Sequence, residues 1–364
     1  MKRALALLLF LAVTSTGHTQ EKRASQWHLQ AMFSQGVVLP EYSFVHSTTQ
    51  TPIQQMELSF LKQSKGNSFW QEIYNYPKFG LALFAGSHGN PAILGHEIAV
   101  YPFVSLSSIR RKKYSWDQTI GLGLGWASKK FDLDNNPMNI AVGSHLNVHF
   151  RFRSSFCWYL NQRWNLITGI NFHHFSNANM KEPNLGINTV SIAFGANYRI
   201  SPDQEYLHNE IPVHEAANEF AFVYAAGGKH TRALQTDVYF TSSLSFEFKR
   251  RWKRKFWWGL GTDLFYDSAT EVELSTPGKK SYRPSDDFRS GLHLSQEFVY
   301  QQFSFVLQEG IYLGLIDQVN HNVMYNRAII RYKWNPHFFS HISMKSHLHI
   351  LDYPEVGFAY YFSK

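Results

Sequence analysis

The sequence predicts an all-β fold, an antiparallel transmembrane β-barrel of about sixteen strands in a Gram-negative outer membrane. Three observations predict it. Of the 364 residues, 16% are aromatic and only 17% charged, while the mean hydropathy is −0.30. Beyond the N-terminus, no apolar run reaches the length of about 18 residues that a spanning helix needs. Many short segments alternate apolar and polar residues instead, as membrane strands do. The alternative is a soluble β-sandwich or a lipocalin-like barrel.

Residues 1–19 have the pattern of a secretory signal peptide. Lys2 and Arg3 precede an apolar run, and small and polar residues follow it. Cleavage after Gly17 or Thr19 fits the pattern. The single cysteine, Cys157, excludes an intrachain disulfide and a lipoprotein anchor behind the signal. Export combined with barrel strands predicts the outer membrane as the location.

The net charge of +8 raises the question of an anionic partner. The two densest basic runs, 110–113 and 249–255, both lie between strand candidates. Such runs are usually solvated turns, and nothing resembles a nucleic-acid-binding module. We therefore expect no nucleic-acid partner.

Alternation and turn-forming residues place the strand candidates in two sets of eight. The first set is 27–39, 52–63, 78–86, 95–107, 116–128, 144–160, 163–176 and 188–200. The second set is 219–229, 236–249, 256–268, 287–299, 303–315, 323–334, 338–350 and 356–363. In 119–126, bulky residues alternate with Gly121, Gly123 and Gly125, which predicts a lipid-facing row and a crowded interior.

An even strand count places both termini in the periplasm, with short inner turns and long outer loops. The connections follow this rule except for 64–77 and 201–218, which are long and lie on the inner side. The chain divides into a first barrel region, 20–200, and further barrel strands in 201–364. Whether these close as one wide barrel or as two smaller ones is open.

The candidate site lies where the seventh and eighth strands meet. His174 and Ser176 are two residues apart, so they share one strand face, and that face is otherwise apolar. Asn188 begins the apolar face of the next strand. A histidine activates a serine hydroxyl by taking its proton, and a third group orients the histidine. Asn177, Asn179 and Asn184 in the connecting loop can supply amide donors for an oxyanion.

The stretch His174-Phe-Ser-Asn-Ala178 followed by Pro183-Asn-x-Gly-x-Asn188 resembles the signature of the PagL-type lipid A 3-O-deacylases, also labelled acyloxyacyl hydrolases. Other stretches resemble longer members of that family. They are Trp70 with 76–80, 95–102, 121–126, and 135–139 before 144–147. The resemblance covers about 27–200, whereas 201–364 carries no recognised motif beyond strand alternation.

The resemblance implies an eight-stranded outer-membrane barrel that hydrolyses an ester-linked acyl chain of lipid A at its lipid-facing wall. His174 then matches the general base and Ser176 the nucleophile. Asn184 and the backbone N–H of Asn177 match the oxyanion donors. The resemblance implies no metal and no cofactor. The expected partner is lipid A or lipopolysaccharide, in the membrane; the oligomeric state and the acyl position that is cut are open.

The sequence departs from the family pattern at one position. Asn188 stands where the resemblance implies the glutamate that orients the histidine. An amide oxygen can accept the imidazole N–H but cannot stabilise imidazolium by charge. Glu182 is the nearby carboxylate that could substitute. The rival function is a non-catalytic barrel, namely a pore, a lipid-binding protein or a structural protein with a relic site.

Overall fold

The fold was analysed in a computed structural model that describes residues 25–39, 49, 51–178, 180–213, 215–231, 237–275, 277–348 and 350–363. The predicted signal peptide, 1–19, lies outside the described residues. Within them, sixteen strands form two closed antiparallel barrels of eight strands each. The choice between one wide barrel and two smaller ones is therefore settled in favour of two. None of the helices in these ranges is long and apolar enough to span a membrane.

The strands agree with the predicted segments to within a few residues at most ends. The first barrel consists of β1 Ser25–Val38, β2 Ile53–Ser64, β3 Lys78–Ser87, β4 His96–Arg110, β5 Tyr114–Ala127, β6 Leu146–Tyr159, β7 Trp164–Ser176 and β8 Ile187–Arg199. The second consists of β9 Asn218–Lys229, β10 Tyr239–Lys253, β11 Phe256–Asp267, β12 Phe288–Tyr300, β13 Phe303–Tyr312, β14 Met324–Lys333, β15 Phe338–His347 and β16 Ile350–Ser363.

Each barrel closes by pairing its first strand with its last. In the first barrel, β1 pairs with β8, so that Leu29 lies opposite Tyr198. In the second, β9 pairs with β16, so that Phe222 lies opposite Tyr360. Closure leaves no exposed strand edge. A sheet that spans a bilayer must be closed, because the bilayer interior holds no water to hydrogen-bond unpaired backbone groups.

The predicted division of faces in β5 is confirmed. Ile120, Leu122 and Trp126 are exposed on the outer wall. A Cβ atom on Gly121 would lie 2.5 Å from the Tyr101 ring, and one on Gly125 would lie 2.6 Å from the Phe175 ring. The glycines are therefore required because side chains from other strands fill the space on the inner face.

The lumen of the first barrel is filled with paired polar side chains. Glu57 is buried between two guanidinium groups, with one of its oxygens 2.6 Å from Nη2 of Arg153 and also in contact with Arg151. Lys78 pairs with Asp117 at 2.6 Å. Eight strands enclose an interior just wide enough for side chains to fill.

The lumen of the second barrel is closed in the same way. Glu297 pairs with Lys249 at 2.6 Å, and Glu247 pairs with Arg331 at 3.1 Å. Asp263 contacts both His293 and Arg327. Two narrow lumens packed with ion pairs leave no wide polar channel in the described residues, which argues against the pore alternative.

Lys249 corrects one expectation from the sequence. The run 249–255 was expected to be a solvated turn, but β10 continues to Lys253 and the Lys249 side chain is only 2% exposed. The ammonium group of Lys249 is stable inside the barrel because its ion pair with Glu297 offsets the cost of removing it from water. Strand alternation does not distinguish an inward lysine of a polar lumen from a lysine in a turn.

The two long inner connections pack against each other. A short helix, α1 Phe69–Ile73, lies in the first of them. The backbone N–H of Leu207 donates to the carbonyl of Lys65 at 2.7 Å, and His208 pairs with Glu72 at 2.9 Å. The two accepted hydrogen bonds, from His208 and from the backbone of Asn209, lower the pKa of the half-buried Glu72 carboxyl.

The same segment also contacts the second barrel. The Trp70 and Tyr74 rings lie edge-on to the ring of Tyr300, with centroid distances of 5.7 and 4.9 Å. Tyr300 ends β12, next to its turn into β13. Two further short helices lie in the 268–287 loop of the second barrel: α2 Thr270–Leu274 and a 3-10 turn, Pro284–Asp287.

Candidate active site

The predicted site residues lie at the C-terminal end of β7 and the start of β8. The register places His174 directly opposite Asn188. Further along the same faces, Ile170 is 60% exposed and Ile192 is 56% exposed on the outer wall. The expectation that His174 belongs to the lipid-facing side of the strand therefore agrees with the structure. By contrast, His173 is buried in the lumen.

Three side chains form a continuous chain of hydrogen bonds. Nδ1 of His174 lies 2.7 Å from Oδ1 of Asn188, and Nε2 lies 2.8 Å from Oγ of Ser176. Since an amide oxygen only accepts hydrogen bonds, Nδ1 carries the proton and Nε2 accepts the serine hydroxyl. The imidazole is thus held in the tautomer that a general base requires.

The two predicted oxyanion donors lie close together, but they bond to each other. The backbone N–H of Asn177 donates to Oδ1 of Asn184 at 2.9 Å. The Asn177 side chain fixes the loop by donating to the carbonyl of Lys181 at 2.7 Å. Nδ2 of Asn184 carries two further N–H donors. The third loop asparagine that the sequence suggested, Asn179, lies outside the described residues.

Glu182 does not replace the expected glutamate in this arrangement. Both ring nitrogens of His174 are already bonded, to Asn188 and to Ser176. One Glu182 oxygen instead accepts the backbone N–H of Asn184 at 3.1 Å. Partial burial raises the pKa of the Glu182 carboxyl. This side chain therefore supports the loop rather than the imidazole.

Gly186 is a site residue whose role the sequence did not reveal. Its φ of +73° lies in the left-handed region that favours glycine. A Cβ atom at this position would lie 3.1 Å from Cε1 of His174 and 3.4 Å from Cβ of Ser176. The glycine of the Pro-Asn-x-Gly motif thus leaves room for the imidazole as well as making a turn.

Ala178 is a second contributor that sequence reasoning missed. Its backbone N–H lies 3.5 Å from Oγ of Ser176, and its φ is +54°. Ser176 itself is only 6% exposed. A backbone donor has no signature in the sequence; only the turn that follows β7 brings this N–H next to the serine.

Comparison with protein families matches both halves of the chain. A family model described as lipid A 3-O-deacylase (PagL) matches residues 54–197. A second model, described as acyloxyacyl hydrolase, C-terminal domain, matches residues 218–364. No curated protein sequence matches the chain.

Solved structures also match the chain, at low identity. A crystal structure described as the outer membrane enzyme PagL is 16% identical, with a TM-score of 0.34, over 46% of this chain and 97% of that one. A mutant of the Rh. blastica porin is 9% identical, with a TM-score of 0.21, over 93% of this chain and 100% of that one.

The two family models together span most of the chain, and each corresponds to one of the two barrels. The second match covers 218–364, which is most of the region 201–364 where the sequence alone offered no motif. The chain is therefore an outer-membrane protein that belongs to the PagL family of lipid A deacylases.

Proposed function

We propose that the protein is a serine esterase that removes an ester-linked acyl chain from lipid A at the wall of its first barrel. The observation that carries this proposal is the hydrogen-bonded chain Asn188–His174–Ser176. It lies on a lipid-facing strand pair, where acyl chains can lie beside Ser176 while their ester carbonyl reaches its hydroxyl.

In the proposed reaction, Oγ of Ser176 attacks the ester carbonyl carbon while Nε2 of His174 takes the hydroxyl proton. The tetrahedral intermediate collapses, and the protonated imidazole gives its proton to the leaving alcohol oxygen of lipid A. Water then attacks the acyl-serine, again with His174 as base. Free fatty acid and Ser176 are released, so that one water is consumed for each ester cleaved.

Asn188 orients His174 throughout, and the oxyanion is held by N–H donors of the 177–186 loop. Nδ2 of Asn184 and the Ala178 N–H are available to it. The Asn177 N–H joins them when the oxyanion displaces Oδ1 of Asn184. The filled lumen is not needed for this chemistry, since every reacting group belongs to the outer wall.

The test uses the purified full chain and its Ser176→Ala variant, incubated with lipid A in detergent micelles and analysed by mass spectrometry. We expect loss of one acyl chain with the wild type only, and the product mass identifies the position. Heat-modifiable gel mobility verifies that both proteins are folded. Equal product from both proteins would refute Ser176 as the nucleophile, and no product from either folded protein would refute the esterase.

A further inference from the structure

The lumen of the first barrel holds a second group of reactive side chains directly behind β7. We name it the rim cluster: His88, Glu97, His149 and His173. Each of these side chains is at most 1% exposed. They come from four places in the chain, namely the residue after β3 and the strands β4, β6 and β7. The proposed esterase chemistry uses none of them.

The Glu97 carboxylate lies at the centre of the rim cluster. Its Oε2 is 3.2 Å from Nε2 of His173 and 3.6 Å from Nε2 of His88. Its Oε1 is 2.6 Å from Nδ1 of His149. Zn²⁺ binds such atoms at about 2.0–2.2 Å in a tetrahedron, so neighbouring ligand atoms are about 3.3 Å apart. The two contacts of Oε2 are already close to that spacing.

Several ring nitrogens of the rim cluster, including the two that lie near Oε2 of Glu97, lack a hydrogen bond and point to a ligand. Among the described residues, both nitrogens of His88, Nε2 of His149 and Nε2 of His173 are buried without a hydrogen-bond partner. Each such group has lost its hydrogen bonds to water and is unfavourable in the buried state unless a ligand satisfies it. Nδ1 of His173 lies 3.4 Å from Oγ1 of Thr189. A hydrogen bond at the second nitrogen is what orients a metal-binding histidine.

The absence of a side chain at Gly125 leaves room for the Glu97 carboxylate. A Cβ atom on Gly125 would lie 2.8 Å from Oε1 of Glu97. One ligand atom each from Glu97, His149 and His173 already lies within 4.8 Å of the other two. A small cation at their centre therefore requires side-chain rotations rather than movement of the strands.

We propose that the rim cluster binds one divalent transition-metal ion, with Zn²⁺ as the best match, through His88, Glu97, His149 and His173. Imidazole nitrogens with one carboxylate are a ligand set that suits this ion. Binding replaces the hydrogen bond between His149 and Glu97 by a bond from each residue to the metal, and the imidazole proton of His149 moves from Nδ1 to Nε2, so that the ring binds as a neutral ligand. The ion links β4, β6 and β7 through their side chains and contacts none of the atoms that react in the proposed ester hydrolysis.

Because the cluster is buried, the metal is supplied while the barrel folds. The full chain is refolded from urea into detergent micelles with Zn²⁺, with Co²⁺ or with EDTA, and excess metal is then removed by dialysis. We expect about one Zn²⁺ per chain, d–d absorption typical of tetrahedral Co²⁺, and a higher temperature for the heat-induced mobility shift than after refolding with EDTA.

Variants locate the bound ion. Glu97→Gln and the double variant His149→Gln/His173→Gln are expected to retain less than about a tenth of the wild-type metal. The matched control is His28→Gln, since His28 is also a buried lumen histidine but bonds to Asn197 at 2.7 Å. It is expected to bind metal like the wild type.

Two results would overturn the proposal. One is a folded wild-type protein that retains no metal after refolding with saturating Zn²⁺. The other is a set of folded rim-cluster variants that retain as much metal as His28→Gln. If the variants fail to fold, the wild-type stoichiometry and the Co²⁺ spectrum decide alone, because octahedral or absent absorption contradicts a buried four-ligand site.

Discussion

Oδ1 of Asn188 lies 2.7 Å from Nδ1 of His174, at the position where the family resemblance implies a glutamate. The amide keeps the imidazole in one tautomer, as a carboxylate would. In the proposed reaction, however, it contributes no negative charge when the imidazole takes the proton of Ser176. The site thus combines the geometry of a catalytic triad with a weaker third member.

The first prediction is that Asn188→Glu increases the rate of deacylation. The added carboxylate stabilises the imidazolium of the transition state by its negative charge, as the aspartate of the serine-protease triad does. We expect at least about a tenfold rise in kcat/KM. The measurement is the initial rate of fatty-acid release from lipid A micelles.

Asn188→Gln is the matched control for this prediction, because it preserves the amide and adds the same methylene group as glutamate. It is expected to be no faster than the wild type. A rise with Gln, or no rise with Glu in a folded protein, would show that charge at this position does not limit the reaction.

The second prediction concerns the space beside the imidazole. Gly186→Ala places a methyl group 3.1 Å from Cε1 of His174 and therefore pushes the ring away from Ser176. A misplacement of about 1 Å can reduce the rate about 100-fold. We expect kcat to fall about 10- to 100-fold. The rate of lipid A deacylation measures this loss.

Gly278→Ala is the control that distinguishes crowding of the His174 ring from backbone strain. Gly278 has a similarly positive φ, +88°, but nothing lies within 4 Å of its Cβ position. Left-handed backbone costs an alanine about 1–2 kcal/mol in either variant. Only Gly186→Ala should lose activity; an equal loss in both variants would assign the effect to stability.

The third prediction is a pH dependence in the 177–186 loop. Burial raises the pKa of Glu182, whose carboxylate accepts the backbone N–H of Asn184. A carboxyl group whose pKa is higher in the folded protein stabilises most at pH values below its ordinary pKa, and that contribution is lost as the pH rises through the folded value. The loop should therefore be less protected at pH 8 than at about pH 4, which lies below the ordinary pKa of a glutamate.

Hydrogen exchange of a peptide that spans this loop measures the effect, expressed as a protection factor to remove the intrinsic pH dependence. Glu182→Gln retains an oxygen acceptor for Asn184 but cannot ionise. The variant is expected to show the same protection at both pH values. If its protection falls with pH as steeply as that of the wild type, another group is responsible.

Much of this site could be predicted because strand alternation is a strong constraint. Once His174 is placed on the lipid-facing side of β7, Ser176 follows on the same side, and antiparallel pairing with β8 brings Asn188 opposite. A shift of one residue would bury both apolar faces in the polar lumen. The pattern of apolar residues, together with the turn that joins β7 to β8, therefore sets the register.

The loop contacts could not be predicted in this way. The hydrogen bond from Asn177 to Asn184 depends on loop backbone geometry, and so does the approach of the Ala178 N–H to Ser176. The alternation of apolar and polar residues constrains only strands that pair with a neighbour, and no described residue of this loop belongs to a strand. The burial of Lys249 was missed for a related reason, since its partner Glu297 lies two strands away and far along the chain.

The last prediction tests whether the second barrel is a closed structural element. Arg331 is fully buried, donates to the Tyr361 hydroxyl at 2.7 Å and pairs with Glu247 at 3.1 Å. Arg331→Met leaves that carboxylate without its counter-charge, which should destabilise the barrel by about 3–5 kcal/mol. Urea dependence of the heat-modifiable mobility measures this loss.

Arg163→Met is the control, because Arg163 bonds to Tyr198 on the exposed surface, where substitutions usually change stability by less than about 0.5 kcal/mol.

Both proteins and the wild type are then tested in planar bilayers. Because ion pairs fill both lumens, none of them should conduct. Channel conductance by the folded wild type would contradict the closed lumen and support the pore as the function. A loss of stability in Arg331→Met but not in Arg163→Met would show that the buried ion-pair network stabilises the second barrel.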